Sequence, residues 1–116
     1  MAFQSFRELR VWQEAKRLAV DIYELTSETG LAKDFGLRDQ MRRAAVSIAS
    51  NIAEGYERKS DPDFVRFLYI AKGSLSELIT QLEIAKDVGL IPEEWLLPLD
   101  DQCGKVGAML TKLIQS

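Results

Sequence analysis

The sequence predicts an all-α protein, an antiparallel up-down four-helix bundle forming one domain over residues 1–116. Three observations carry that prediction. Apolar residues recur at alternating four- and three-residue intervals in four successive segments, the pattern of helices that bury one stripe. Residues that open or close helices separate these segments by only a few positions, and short connections favour antiparallel neighbours. No stretch of useful length alternates apolar and polar residues, so strands are not expected.

The first helix is expected after Ser5-Phe6-Arg7-Glu8, a capping-box pattern with serine at the cap and glutamate three residues on. Its stripe is Val11, Ala15, Leu18, Ile22 and Leu25, widened by Trp12, Ala19 and Tyr23. Gly30 fits the residue after the C-cap, which ends the helix near Thr29. A loop from Leu31 to Gly36 leads to a second helix from near Leu37, with Met41, Ala45, Ile48, Ile52 and Tyr56 continuing its stripe. Asp61-Pro62 announces the third helix, Asp as cap and Pro at the first helical position. Its seam of Phe64, Leu68, Ala71, Leu75, Leu78, Leu82 and Ala85 is unbroken, and Gly89 closes it. Pro92-Glu93-Glu94 opens the fourth helix, whose seam is Leu96, Leu99, Cys103, Val106, Leu110 and Leu113. Pro98 is expected either to kink its first turn or to mark its true start. Cys103 lies on the seam and reads as a buried structural thiol.

Composition narrows the chemistry. Apolar residues make up 47% and charged residues 28%, the profile of a folded domain. No apolar run approaches the roughly 20 residues that span a bilayer. Residues 1–7 lack a basic stretch followed by an apolar one, so no secretory signal is expected. A single cysteine cannot form an internal disulfide, which fits a reducing cytoplasm. Histidine is absent, removing the commonest general base and metal ligand. Di-iron bundles need Glu-x-x-His motifs, and no glycine-rich phosphate loop occurs. No enzymatic activity, catalytic residue, cofactor or metal is expected. The net charge of −3 also lacks the basic excess common in nucleic-acid-binding domains.

Interest then moves to the faces turned from the core. On the third helix Gly73 lies about 180° from the seam, with Ile70 and Ile84 nearby. A mid-helix glycine costs roughly 1 kcal/mol relative to alanine, a cost that makes sense where another backbone approaches. These residues predict an oligomer interface. In the stretch "SIASNIAEGY", Ser47, Asn51 and Gly55 form a ladder of small residues suited to a close neighbour, and the same interface is expected there. Asn51 should have a defined hydrogen-bond partner, because an unpaired buried amide costs roughly 1–3 kcal/mol. Six basic residues, Arg38, Arg42, Arg43, Arg58, Lys59 and Arg66, are candidates for contacts to RNA or DNA. Asp39, Glu54, Glu57, Asp61 and Asp63 are interleaved with them, and ion pairing between helices explains the mixture at least as well.

The segments "FRELRVWQEA", "FGLRDQMRRAAVSIASNIAEGYERKSDPDFVRFL" and "IAKGSLSELITQLEIAKDVGLI" together resemble one family. It is the family of four-helix-bundle proteins encoded in intervening sequences of bacterial 23S rRNA genes, whose relatives include the accessory variability determinant of diversity-generating retroelements. The resemblance implies a homopentamer of bundles arranged as staves of a barrel around a channel. It also implies an RNA connection, since the retroelement relative binds nucleic acid and its reverse transcriptase. Arg42, Arg43 and Arg58 match the motif arginines, whereas the acidic balance of this chain departs from that basic relative. A non-enzymatic, RNA-associated accessory of a ribonucleoprotein is the expected role. The alternative is a scaffold that docks a partner protein.

Overall fold

Ser5 opens the described part of the chain, residues 5–116 of a computed structural model, with its capping box formed. Residues 1–4, on which the leader-segment reading and the start of the domain also rest, lie outside the described residues. The Ser5 hydroxyl accepts the Arg7 N–H at 3.1 Å, and the Glu8 carboxylate accepts the Ser5 N–H at 3.2 Å. What the box caps, however, is a 3₁₀ turn, Phe6–Glu8, and the extended Leu9 separates that turn from helix α1, Arg10–Glu28. Leu9 is buried, so its packing decides the break where capping alone would have continued the helix.

Gly30 is likewise not a left-handed C-cap. It belongs to a second 3₁₀ turn, Gly30–Lys33, capped by the Thr29 hydroxyl on the Leu31 N–H. The glycine serves close approach: a Cβ there would lie 3.1 Å from Leu90 Cδ2 and 3.3 Å from the Leu90 carbonyl oxygen. Helix α2, Phe35–Glu57, starts at Phe35 instead of Leu37, because Asp34 Oδ1 caps the Leu37 N–H at 3.1 Å. Helix α3, Asp61–Asp87, has Ser60 as its cap residue, which places Asp61 and Asp63 in the first turn, where the helix dipole favours acids. Gly89 ends it with φ 79°, the left-handed geometry that glycine tolerates. Helix α4, Glu93–Gln115, runs through Pro98, so the proline does not mark its start.

Each helix packs on two others: α2 joins α1 to α3, and α4 closes the ring between α3 and α1. Along the α2–α3 seam Ser47 meets Ser74 and Gly55 meets Phe67, rising numbers against falling ones, so the pair is antiparallel. Leu18, Ile22, Met41, Ile48, Leu68, Leu78, Leu82 and Leu110 are fully buried, and Cys103 is buried as expected. Leu37, Phe64 and Leu113, at the ends of their stripes, are only partly buried. The described residues hold no strand and no helix long and apolar enough to cross a membrane.

Candidate functional site

The six basic residues do not form one patch. Arg38, Arg42 and Arg43 lie early on α2, while Arg58, Lys59 and Arg66 surround the turn into α3. Arg42 and Arg58 are about 24 Å apart along the helix axis, at 1.5 Å per residue. Arg42 is committed to the fold: its Nε donates to Thr26 Oγ1 at 2.8 Å, its Nη2 to Ser27 Oγ at 3.1 Å, and its guanidinium lies 4.5 Å from the Tyr23 ring centre. Arg38 pairs with Asp39 at 2.9 Å and lies 4.8 Å from the Phe35 ring. At the other end Arg58 and Arg66 both sit over Phe67, at 5.0 and 4.7 Å. Their carboxylate partners are Glu54 at 3.3 Å and Asp63 at 3.6 Å. These ion pairs join residues of one helix and not, as expected, of two. The side chains of Arg43 and Lys59 are exposed and have no hydrogen-bond, ion-pair or ring partner among the described residues. Lys59 holds a left-handed φ of 57°, fixed by the tight α2–α3 turn.

The small-residue ladder does have a close neighbour, and it is α3 of the same chain. Ser47 Oγ and Ser74 Oγ are 2.9 Å apart. Asn51 Nδ2 donates to the Ser47 carbonyl at 2.8 Å and to Ser47 Oγ at 2.9 Å, which supplies the defined partner its position demands. A Cβ on Gly55 would fall 2.6 Å from Phe67 Cβ, inside any permitted contact. Ser47, Asn51 and Gly55 are therefore explained within one chain, without the oligomer interface expected of them. Ile70, Gly73 and Ile84 behave differently. Both isoleucines are exposed, at 43% and 48%, and a Cβ on Gly73 would meet nothing within 4 Å.

Two concave surfaces escaped the sequence reading. One is a groove of about 530 Å³ along the α1–α2 seam, walled by Phe6, Trp12, Val20 and Tyr23 and floored by Ala49 and Ala53. Trp12 and Tyr23 read in sequence as a widening of the core stripe, yet Tyr23 is 46% exposed and Val20 and Val46 are exposed beside it. Their offset from the stripe, Val20 above all, was the available signal. The other is a smaller pocket of about 260 Å³ between α1 and α4, lined by Asp21, Glu24, Glu94 and Trp95. No group of acids, cysteine or histidine among the described residues is arranged to hold a metal ion. Cys103 is no nucleophile in this setting: burial, with the Asp100 charge adding to it, pushes its thiol up to about 12.

A search of curated proteins gives no match. A solved structure from Bacteroides thetaiotaomicron, described as a protein of unknown function from the S23 ribosomal protein family, superposes with a TM-score of 0.83. The alignment covers 91% of this chain and 96% of that one at 24% identity, a likeness that speaks to the fold alone. The family model described as 23S rRNA-intervening sequence protein matches residues 7–112. That match takes in α1 to α3 whole, α4 as far as Lys112 and the "SIASNIAEGY" seam, and with it the chain belongs to the family of 23S rRNA-intervening sequence proteins.

Proposed function

We propose that this protein is a non-enzymatic helical bundle that self-associates and binds RNA as a cytoplasmic accessory of a ribonucleoprotein. The observation that carries the reading is the state of its arginines. Arg38, Arg42, Arg58 and Arg66 each lie 4.5–5.0 Å from an aromatic ring centre. A stacked guanidinium is held in place while keeping most of its donors for phosphate. Family membership supports the RNA assignment, and the absence of histidine together with the protonated Cys103 supports a role without catalysis. The exposed Ile70 and Ile84 flanking an open Gly73 support assembly through α3, and the resemblance to pentameric barrels supports a ring of five. Repeating a few cations per subunit raises avidity without a strongly basic monomer.

Filter binding of RNA at low and moderate salt tests the reading. Affinity should fall as salt rises, because phosphate neutralisation releases counterions. If neither RNA nor DNA binds in a salt-sensitive way, the reading is lost. The second reading, a scaffold for a partner protein, is favoured by the pairing of Arg38, Arg58 and Arg66 with Asp39, Glu54 and Asp63. Replacing Arg43 and Arg58 by alanine separates the two. Lost RNA binding with assembly intact supports the first; lost assembly supports the second.

A further inference from the structure

The α1–α2 groove combines features that no other concave surface described above shares. Each of its three aromatic walls has a cation over its ring, and one of those cations, Lys16, lines the groove itself. The Arg7 guanidinium lies 4.8 Å from the Phe6 ring, Lys16 Nζ 5.6 Å from Trp12, and the Arg42 guanidinium 4.5 Å from Tyr23. Phe6 and Trp12 meet edge to face with centroids 5.2 Å apart, which fixes the two rings relative to each other. Arg42 spends only two of its five N–H donors on Thr26 and Ser27. Although the chain is acidic overall, no carboxylate lines this groove, whereas Asp21, Glu24 and Glu94 line the pocket on the other side of α1. The floor is small and apolar, Ala49 and Ala53 with Ser50 at the rim, so planar groups can approach the helix backbone.

Aromatic faces spaced along a groove and edged by cations suit a strand whose bases are unpaired. Bases stack on rings, and the backbone phosphates meet Arg and Lys. A duplex hides its base faces and gains only from the cations. We infer that the α1–α2 groove is a binding site for single-stranded nucleic acid, with Trp12 and Tyr23 as stacking platforms and Arg7, Lys16 and Arg42 as phosphate contacts. The inference rests on the nucleic-acid reading proposed above and assigns it a place and a strand form.

Two measurements on the full chain test it. Trp95 lies in the acidic pocket, so Trp95→Phe leaves Trp12 as the single fluorescent indole. Titration with RNA and DNA oligonucleotides of about 12 nucleotides, single-stranded and duplex, follows Trp12 directly. Single strands should quench it and bind more tightly than the duplexes. The second measurement uses Val20→Glu with Val46→Glu. Both valines are exposed, at 56% and 42%, so the double variant places negative charge in the groove while leaving the core intact, as circular dichroism would verify. Affinity for the single strand should fall about tenfold or more, the effect of losing one stacked base and repelling phosphate. Should the unmodified protein bind no oligonucleotide, the inference and the broader reading both fall. Binding that leaves Trp12 fluorescence and the double variant's affinity unchanged overturns the groove alone and leaves the broader reading standing. A double variant with altered sedimentation but unaltered affinity overturns the groove in favour of a second copy seated there.

Discussion

Gly55 shows how one atom can set the spacing of two helices. Glycine within a helix costs roughly 1 kcal/mol against alanine, so Gly55→Ala would stabilise α2 in isolation. The added Cβ would nevertheless meet Phe67 Cβ at 2.6 Å, and that atom is anchored to the α3 backbone. Overpacking costs about 1–3 kcal/mol and outweighs the propensity gain, so Gly55→Ala should lower the denaturation midpoint. Cys103 yields a second expectation at this scale. Its thiol is raised from 9.0 to about 12 in the fold, so the folded state favours the neutral form. Its contribution is fully present below pH 9 and is lost as pH rises from there toward 12, because the unfolded chain ionises first. Thiol-reactive dyes at pH 8 should label Cys103 only once denaturant unfolds the bundle. Labelling at the same rate with and without denaturant would contradict the burial. Gln81 is a buried counterexample on α3, with Oε1 lacking a partner among the described residues, a cost with no evident return within the chain.

At the scale of elements, Arg42 ties α2 to α1 and Arg43, one position on, ties nothing. Arg42→Ala removes bonds to Thr26 and Ser27 and a stacking contact on Tyr23, and leaves the buried Thr26 hydroxyl short of a donor. It should cost about 1–3 kcal/mol in urea unfolding. Arg43→Ala should stay within about 0.5 kcal/mol, since the side chain is exposed and unpartnered. Equal effects of the two would mean that the α1–α2 tie is not formed. The contrast also matters for function, because only the Arg43 variant can report on nucleic-acid binding without disturbing the fold.

For the molecule as a whole, the open question is what lies against α3. Within one chain nothing requires glycine at position 73, as a side chain there would meet open space. For a lone bundle, Gly73→Ala and Gly73→Leu should both stabilise by several tenths to about 1 kcal/mol through helix propensity. If α3 packs on another copy, the leucine should instead dissociate the assembly with helix content preserved. Sedimentation of both variants against the unmodified protein decides this, and a protein that is monomeric at high micromolar concentration would exclude the interface. The distribution of charge works at the same scale. Acids concentrate in the α1–α4 pocket, while the α1–α2 groove carries none, an asymmetry that a net charge of −3 conceals.

The sequence by itself determined the four helices, their buried stripes and the family. Heptad spacing and cap residues are local properties, and burial of Leu68, Leu78 and Leu82 follows directly from period. Local rules failed where a distant residue intervened. Leu9 packs into the core and splits the first helix from its capping box, and Leu90 presses on Gly30 from the loop between α3 and α4. The Ser47-Asn51-Gly55 ladder announced a neighbour, but a helical wheel cannot say whose helix it is. The α2–α3 turn brings Ser74 and Phe67 onto it, so only the tertiary structure could make it intramolecular. The same limit applied to the arginines. Their positions already divide them between the start of α2 and the turn into α3, but a wheel could not show that Arg42 would be tied across the seam to Thr26 and Ser27 of α1. The aromatic–cation groove exists only where α1 and α2 meet, because Tyr23 and Arg42 are neighbours across a seam and not along a chain.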